Sequence, residues 1–338
     1  MASLDIGIDL GTCTVIATDS TQSVVVREPS VVAVDSRTDK VIEIGSRVYD
    51  MIGRTPNYIH VIRPLNEGVI SNFAMTEVLI RHMLKKITGA QMLKPRVTLC
   101  VPSDTTNVES QSVINAAVSA GARKVYLIEE PVAAAIGAGL DLSKPEGHLI
   151  VDIGGGTCDI AVLSLNGIVT KSSIKTAGRL FDEAIIRFVR NKYNLLIGER
   201  TAERIKIEVG SVYEGSPEAV TEVKGRDLMT GLPKKIALRR SETLEVLREP
   251  MDVILRAVIG VLERTPPELA ADIRSNGILL TGGGSRLTGL IQVLEQTTKV
   301  PARIAENPEE CVAVGTAKSF DYLDKLYDGF VHTSTHIH

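Results

Sequence analysis

The sequence predicts an α/β fold made of two like halves, and three observations carry that prediction. Apolar β-type runs alternate with stretches of helical spacing along most of the 338 residues, the pattern of a sheet wrapped by helices. One segment, VDIGGGTCDIAVLS at 151–164, reads as strand, acidic residue, glycine turn, strand. A second, DIGIDLGTCTVIA at 5–17, repeats it, so that Asp9 and Asp152 stand nearly half the chain apart. Two such hairpins at a half-chain interval imply a duplicated domain.

In chain order, the first hairpin is followed at 23–44 by Val and Ile alternating with polar residues around the turn chemistry of 35–39, which reads as sheet. Residues 44–65 form a small insertion joined by Gly53 and Pro56. Apolar residues then recur at helical spacing over 73–86, ending near Gly89. A strand at 97–101, a helix over 107–120 stopped by Gly121, and a strand at 124–128 follow. Pro131 suits the first position of a short Ala-rich helix ending at Gly137, leaving Glu130 near its N-cap at a strand end, where α/β sheets gather functional groups. The polar run 141–147 is a crossing between halves. After the second hairpin, 176–186 reads as a turn entering a helix, 198–206 as the start of another with Thr201 as N-cap, 217–240 as a hairpin insertion and 242–262 as helix. The stretch NGILLTGGGS at 276–285 is again a strand running into a glycine turn.

Composition limits the function. Lys plus Arg total 38 against 41 Asp plus Glu, a net charge of −3, so no global basic field points to nucleic acid. The four cysteines are widely spaced, without CxxC or a His cluster of metal-ligand spacing, and read as reduced thiols of a cytoplasmic protein. The N-terminus lacks signal-peptide features, and no run reaches the roughly 18 apolar residues of a spanning helix. Three of the six histidines lie in the polar tail 332–338, which reads as a frayed end.

The glycine turns carry the chemistry. Without Cβ atoms, Gly154, Gly155 and Gly156 can take positive φ and bring backbone N–H groups onto a phosphate. Asp152 at the mouth of that cradle would repel a bare phosphate, which argues for a divalent cation, Mg²⁺ held through water, between them. Neither a Walker A pattern nor GxGxxG occurs. Gly11 and Thr12 would face Gly154 to Thr157 across the β- and γ-phosphates, and Gly282, Gly283 and Gly284 would let backbone approach a nucleoside. The sum is an ATP cleft, with Asp9 and Asp152 on the metal. Glu130 either orients the attacking water or stabilises its helix N-terminus, and position by itself favours the second. Cys13 and Cys158 lack a base partner and are assigned no nucleophilic role.

These motifs together resemble the actin and sugar-kinase superfamily, which includes the seventy-kilodalton heat-shock chaperones, and within it the bacterial actin homologues of the MreB family over residues 5 to about 320. The discriminating stretches are REPSVV (27–32), MIGRTP (51–56), IRP (62–64), IEEP (128–131), IGERTAE (197–203) and TPPEL (265–269). The resemblance implies an actin-like fold of duplicated ribonuclease-H-like domains, with two smaller inserted subdomains flanking an ATP cleft. The expected division is 1–142 with an insertion at about 32–66, 143–308 with one at about 180–242, and 309–338 returning to the first half. It implies a slow, polymerisation-coupled ATPase that binds ATP and Mg²⁺. Paired protofilaments would lie on the inner face of the cytoplasmic membrane, organising cell-wall synthesis in rod-shaped cells with cell-elongation membrane proteins. Carried over by position, Thr12, Cys13, Thr14 and Gly154 to Thr157 bind phosphates. Glu203, Arg204, Ile205 and Lys206 fall at the nucleoside, and Gly282 to Ser285 close over the adenosine. Glu130 becomes the residue that positions the hydrolytic water, with Thr157 and Asp152 beside it.

The family usually has Gly-Thr-Ala-Asn-Thr where this chain has Gly11-Thr-Cys-Thr-Val15, and Thr-Glu where it has Cys158-Asp159. Backbone N–H groups survive those changes, so the departures bear on hydrolysis rate rather than binding. Met92 and Leu93, with Lys85, Lys86, Lys94 and Arg96 close in sequence, match the family's membrane-insertion loop, although composition alone favours a loop packed on its own domain. Only four residues precede Asp5, so the N-terminal amphipathic helix of many members is expected to be absent. A chaperone reading lacks a β-rich peptide-binding region, and a small-molecule kinase reading lacks a recognisable sugar pocket and base.

Overall fold

The computed structural model describes residues 4–19, 21, 23–89, 94–323, 326 and 329–331. Two sheets form its centre, and they share one pattern. In the first, the antiparallel meander Val24–Pro29, Thr14–Thr18, Asp5–Leu10 continues in parallel through Arg96–Val101 and Lys124–Glu129, with Phe330–Val331 on the edge. In the second, Gly167–Ile174, Cys158–Ser164 and His148–Ile153 make the meander, and Ile278–Thr281 and Ala302–Ile304 the parallel extension. Parallel strands need crossover connections, and helices supply them, covering the central strands of each sheet on both faces. Burial falls from the centre outwards: Cys158–Ser164 is buried at every position, whereas the edge strands Val24–Pro29 and Gly167–Ile174 expose part of theirs. The duplicated α/β architecture is thus visible as a repeated strand order.

Asp9 and Asp152 occupy the same place, one residue before the end of equivalent central strands, opposite Ile16 and Asp159 respectively. Small sheets sit apart from these. Val32–Asp35, Lys40–Ile44 and Ile59–Ile62 pair beside the helix Ser46–Met51, and Leu195–Leu196, Val220–Asp227 and Pro233–Arg239 pair beyond the helix Glu199–Val209.

The halves are joined where Glu130–Gly137 crosses Cys311–Lys318, the one following the last parallel strand of the first sheet and the other that of the second. Both helices are rich in Ala and nearly fully buried. A Cβ at Gly137 would lie 1.8 Å from the carbonyl oxygen of Cys311, and one at Gly315 would lie 1.8 Å from that of Ala133. The two backbones touch because both crossing points are glycine.

Several local expectations shift. The helix before Gly210 starts at Glu199 with Gly198 as N-cap, so Thr201 lies inside it rather than capping it. Glu130 is the first helical residue and Glu129 the N-cap, with Pro131 one position further in than expected. The tail 332–338 lies outside the described residues.

Candidate active site

A cleft of about 450 Å³ opens between the halves. It is lined by Asp9, Gly11, Thr12, Cys13, Thr14, Glu130, Asp152, Gly154, Gly155, Gly156, Thr157, Glu203, Lys206, Gly282, Gly283 and Gly284, residues that the sequence separates by up to the length of both halves.

The first turn is pinned from behind. Ser30 Oγ donates to the Gly11 carbonyl at 2.6 Å and Ser30 N to that of Cys13 at 2.9 Å, while Thr12 Oγ1 accepts from Gly68 N at 3.0 Å. The second turn is closed by Gly154 N on the Thr157 carbonyl at 2.9 Å. Its other carbonyls serve the next helix: Gly178 N donates to Gly154 at 3.1 Å and Arg179 N to Gly155 at 2.9 Å, satisfying N–H groups that a helix start leaves open. None of Gly154, Gly155 and Gly156 takes a positive φ. Their need for glycine is contact: a Cβ on Gly155 would come within 2.3 Å of Cys13 Sγ and one on Gly156 within 2.4 Å of Thr12 Oγ1. The turns of opposite halves therefore meet across the cleft. At the third turn Gly282 does require its φ of 76°, and a Cβ there would also strike the Ile153 carbonyl.

Four carboxyl groups converge at the closed end. Burial pushes Asp9 up to about 6 against the opposing hydrogen bond from Cys100 Sγ, at 3.2 Å, and the charge of Arg27. Burial pushes Asp152 to about 7, although Thr281 Oγ1 donates to its Oδ1 at 2.6 Å. Asp159 rises to about 6, again by burial, while its Oδ1 accepts from Ser103 N at 2.8 Å, a bond between the two halves. Glu130 is driven well above the ordinary carboxylate range by burial and then by the charges of Asp159, Asp152 and Asp9. Asp159, a departure from the usual pattern in sequence, thus braces the cleft wall and raises the basicity of Glu130.

Among the described residues no three His, Cys, Asp or Glu side chains converge as a metal cage. The donor set nevertheless fits a hard cation held at one remove. Asp9 and Asp152 are desolvated carboxylates facing two phosphate-type turns, which suits a hydrated Mg²⁺ completing its shell with water and phosphate oxygens.

Three expected contacts are not at the cleft. Arg204 turns outward to Glu208 at 2.7 Å, Thr221 Oγ1 at 3.2 Å and the Glu222 carbonyl at 3.1 Å. Ile205 is fully buried in the core of the second half. Ser285 is buried, its Oγ donating to the Gly282 carbonyl at 2.6 Å. Helical phase explains the first two, because 203, 206 and 207 share a face that 204 and 205 do not. The same phase would have found Ile207, which lines the cleft and is 74% exposed. Arg27, Gly68, Arg286 and Glu309 also line it without having been singled out. Arg27 lies within a family-like motif, but its role depends on Glu309 and Glu310, which it meets at 2.6 and 2.9 Å from the far end of the chain. Met92 and Leu93 lie outside the described residues.

The family model for MreB/Mbl protein matches residues 3–328. The chain belongs to the MreB/Mbl family. Among MreB/Mbl relatives, the cell shape-determining protein Mbl of Bacillus cereus is 48% identical, with 96% of this chain and 98% of that protein covered. The cell shape-determining protein MreB of Escherichia coli is 46% identical, covering 96% and 95%. Of solved structures, MreB5 of Spiroplasma citri bound to ADP superposes with a TM-score of 0.91 at 38% identity, covering 95% of this chain and 97% of that one. Its AMPPNP-bound form gives 0.89 at 37%, covering 96% and 98%. A MamK double helical filament, 20% identical, gives 0.81 over 95% and 99%, a likeness of fold. The fold is therefore actin-like, and the chain is a member of a cell shape-determining family. No helix among the described residues is long and apolar enough to cross a membrane.

Proposed function

We propose that this chain is a cytoskeletal ATPase that binds ATP with Mg²⁺, polymerises, hydrolyses slowly, and helps set rod cell shape by organising cell-wall synthesis. The observation that carries the reading is the convergence of two strands, each with an Asp one residue from its end, and their glycine turns around the buried Glu130. Gly11 to Thr14 and the turn Gly154 to Thr157 hold phosphates through backbone N–H groups, the Gly154 N–H closing its own turn; Glu203 and Lys206 meet the nucleoside, and Gly282 to Gly284 flank it. Mg²⁺, when bound near Asp9 and Asp152, supplies neutralisation of phosphate charge. Glu130 accepts a hydrogen bond from the attacking water, with Thr157 beside it. The ADP- and AMPPNP-bound states of the MreB5 neighbour support nucleotide binding, and the MamK filament is compatible with self-association. The division into 1–142, 143–308 and 309–338 belongs to the same proposal.

Filaments are read as paired protofilaments on the inner face of the cytoplasmic membrane, working with cell-elongation membrane proteins, with Met92 and Leu93 as the inserting pair. Two such side chains gain at most roughly 3–6 kcal/mol, too little for one subunit, so attachment depends on the many copies a filament presents. The test is sedimentation with ATP and Mg²⁺, with and without vesicles. Polymer should pellet, and vesicles should follow it unless Met92 and Leu93 are made polar. Absence of polymer by electron microscopy across a wide concentration range rules out the cytoskeletal reading.

A further inference from the structure

Away from the phosphate turns, a row of polar contacts crosses the mouth of the cleft. Tyr49, on the helix Ser46–Met51, donates its hydroxyl to Glu203 Oε2 on the helix Glu199–Val209. Beside it, Arg200 Nη2 donates to Asp50 Oδ1 at 2.9 Å and Nη1 to the Asp50 carbonyl at 3.0 Å, and the same guanidinium lies 4.9 Å from the Tyr49 ring centre. Arg63 Nη2 meets Glu199 Oε2 at 2.6 Å, Arg179 Nη1 meets Asn66 Oδ1 at 3.0 Å, and Lys175 Nζ meets Glu67 Oε2 at 3.4 Å. In every pair one partner comes from the first half and the other from the second. A second cavity of about 350 Å³ lies between this row and the cleft, lined by Tyr49, Arg63 and Arg200 from the row and sharing Cys13, Thr14 and Glu203 with the cleft.

We propose that this row is a latch that governs nucleotide release, and that Tyr49 couples it to the nucleotide through Glu203. The proposal rests on the nucleotide reading above. A carboxylate offers about four acceptor sites on two oxygens. Tyr49 takes Oε2, which leaves Oε1 for a ribose hydroxyl. Each partner fixes the Glu203 rotamer for the other, so a closed latch and a bound nucleotide stabilise one another, and reciprocally. The flanking ion pairs are half-exposed, Arg200 at 31% and Asp50 at 74% of their side chains. Such pairs are individually weak and screened by salt, which suits a gate that must open thermally. Hinge opening at the helix crossing separates these contacts and widens the way out of the cleft through the second cavity.

The experiment follows release of etheno-ADP, whose reporter is on the base and leaves the ribose free, from the full chain by stopped flow. Tyr49→Phe keeps the ring and removes one oxygen, and Asp50→Arg opposes Arg200. Each should release nucleotide roughly 5–30-fold faster, the range that the loss of one or two kcal/mol produces. Combining Asp50→Arg with Arg200→Asp restores the pair with its charges exchanged, and should return the rate towards that of the parent. Unchanged release in both single variants, or a double variant as fast as Asp50→Arg alone, overturns the latch. If the parent protein itself fails to bind etheno-ADP, the nucleotide reading falls and the latch with it.

Discussion

Gly137→Ala tests the joint on which the cleft depends. Helix propensity alone would reward the change by up to about 1 kcal/mol. The structure reverses the sign. The new Cβ would stand 1.8 Å from the Cys311 carbonyl oxygen, and that atom is backbone, so no side-chain rotation relieves the overlap. The two helices must separate by about 1 Å or more, through a core that overpacking strains by typically 1–3 kcal/mol. We expect a net loss of about 1–2 kcal/mol, read as a lower urea midpoint with the slope unchanged. Gly315→Ala, facing Ala133 in the same crossing, should behave alike. Gly260 is the control: it lies within the helix Arg240–Glu263, and the nearest atom to an added Cβ is the flexible Arg264 Nη1 at 3.5 Å. Gly260→Ala should raise the midpoint, by up to about 1 kcal/mol in stability. Because the crossing joins the halves, Gly137→Ala should also weaken etheno-ADP binding, whereas Gly260→Ala should not. A Gly137→Ala protein as stable as the parent would refute the reasoning that backbone contact at this crossing holds the halves together.

Other expectations follow from the cleft's carboxyl groups. Glu130→Ala should keep nucleotide binding while slowing phosphate release by about 10²–10⁴-fold, the usual worth of a proton-accepting group; equal loss of binding would indicate a structural role instead. Asp159→Asn keeps an acceptor for Ser103 N–H and removes the charge that helps to raise Glu130, so the acid limb of the hydrolysis profile should move to lower pH. In the nucleotide-free protein, Asp152 binds its proton more tightly folded, near 7, than unfolded, near 3.8. Stability present below the unfolded value is therefore lost as pH rises through the folded one. Thermal melting should show a higher midpoint at about pH 6.5 than at about pH 8, with a smaller difference in Asp152→Asn.

Much of this protein was legible in one dimension. The repeated pattern of apolar strand, Asp and glycine turn is local, since a strand ending in a tight turn is encoded by neighbouring residues. That made the duplication, the positions of Asp9 and Asp152 and both glycine turns readable before any fold was known. The helix Asn107–Ala120 was also plain, because the Gly121 stop is a sequence signal. Tertiary structure alone decided what depends on distant partners. Glycine at 155 and 156 answers to Cys13 and Thr12 in the other half. Asp159 answers to Ser103, Arg27 to Glu309, and Tyr49 to Glu203. No local pattern records such pairs, because they form only where two sheets close on each other, and it is that closure which turns two hairpins into one cleft.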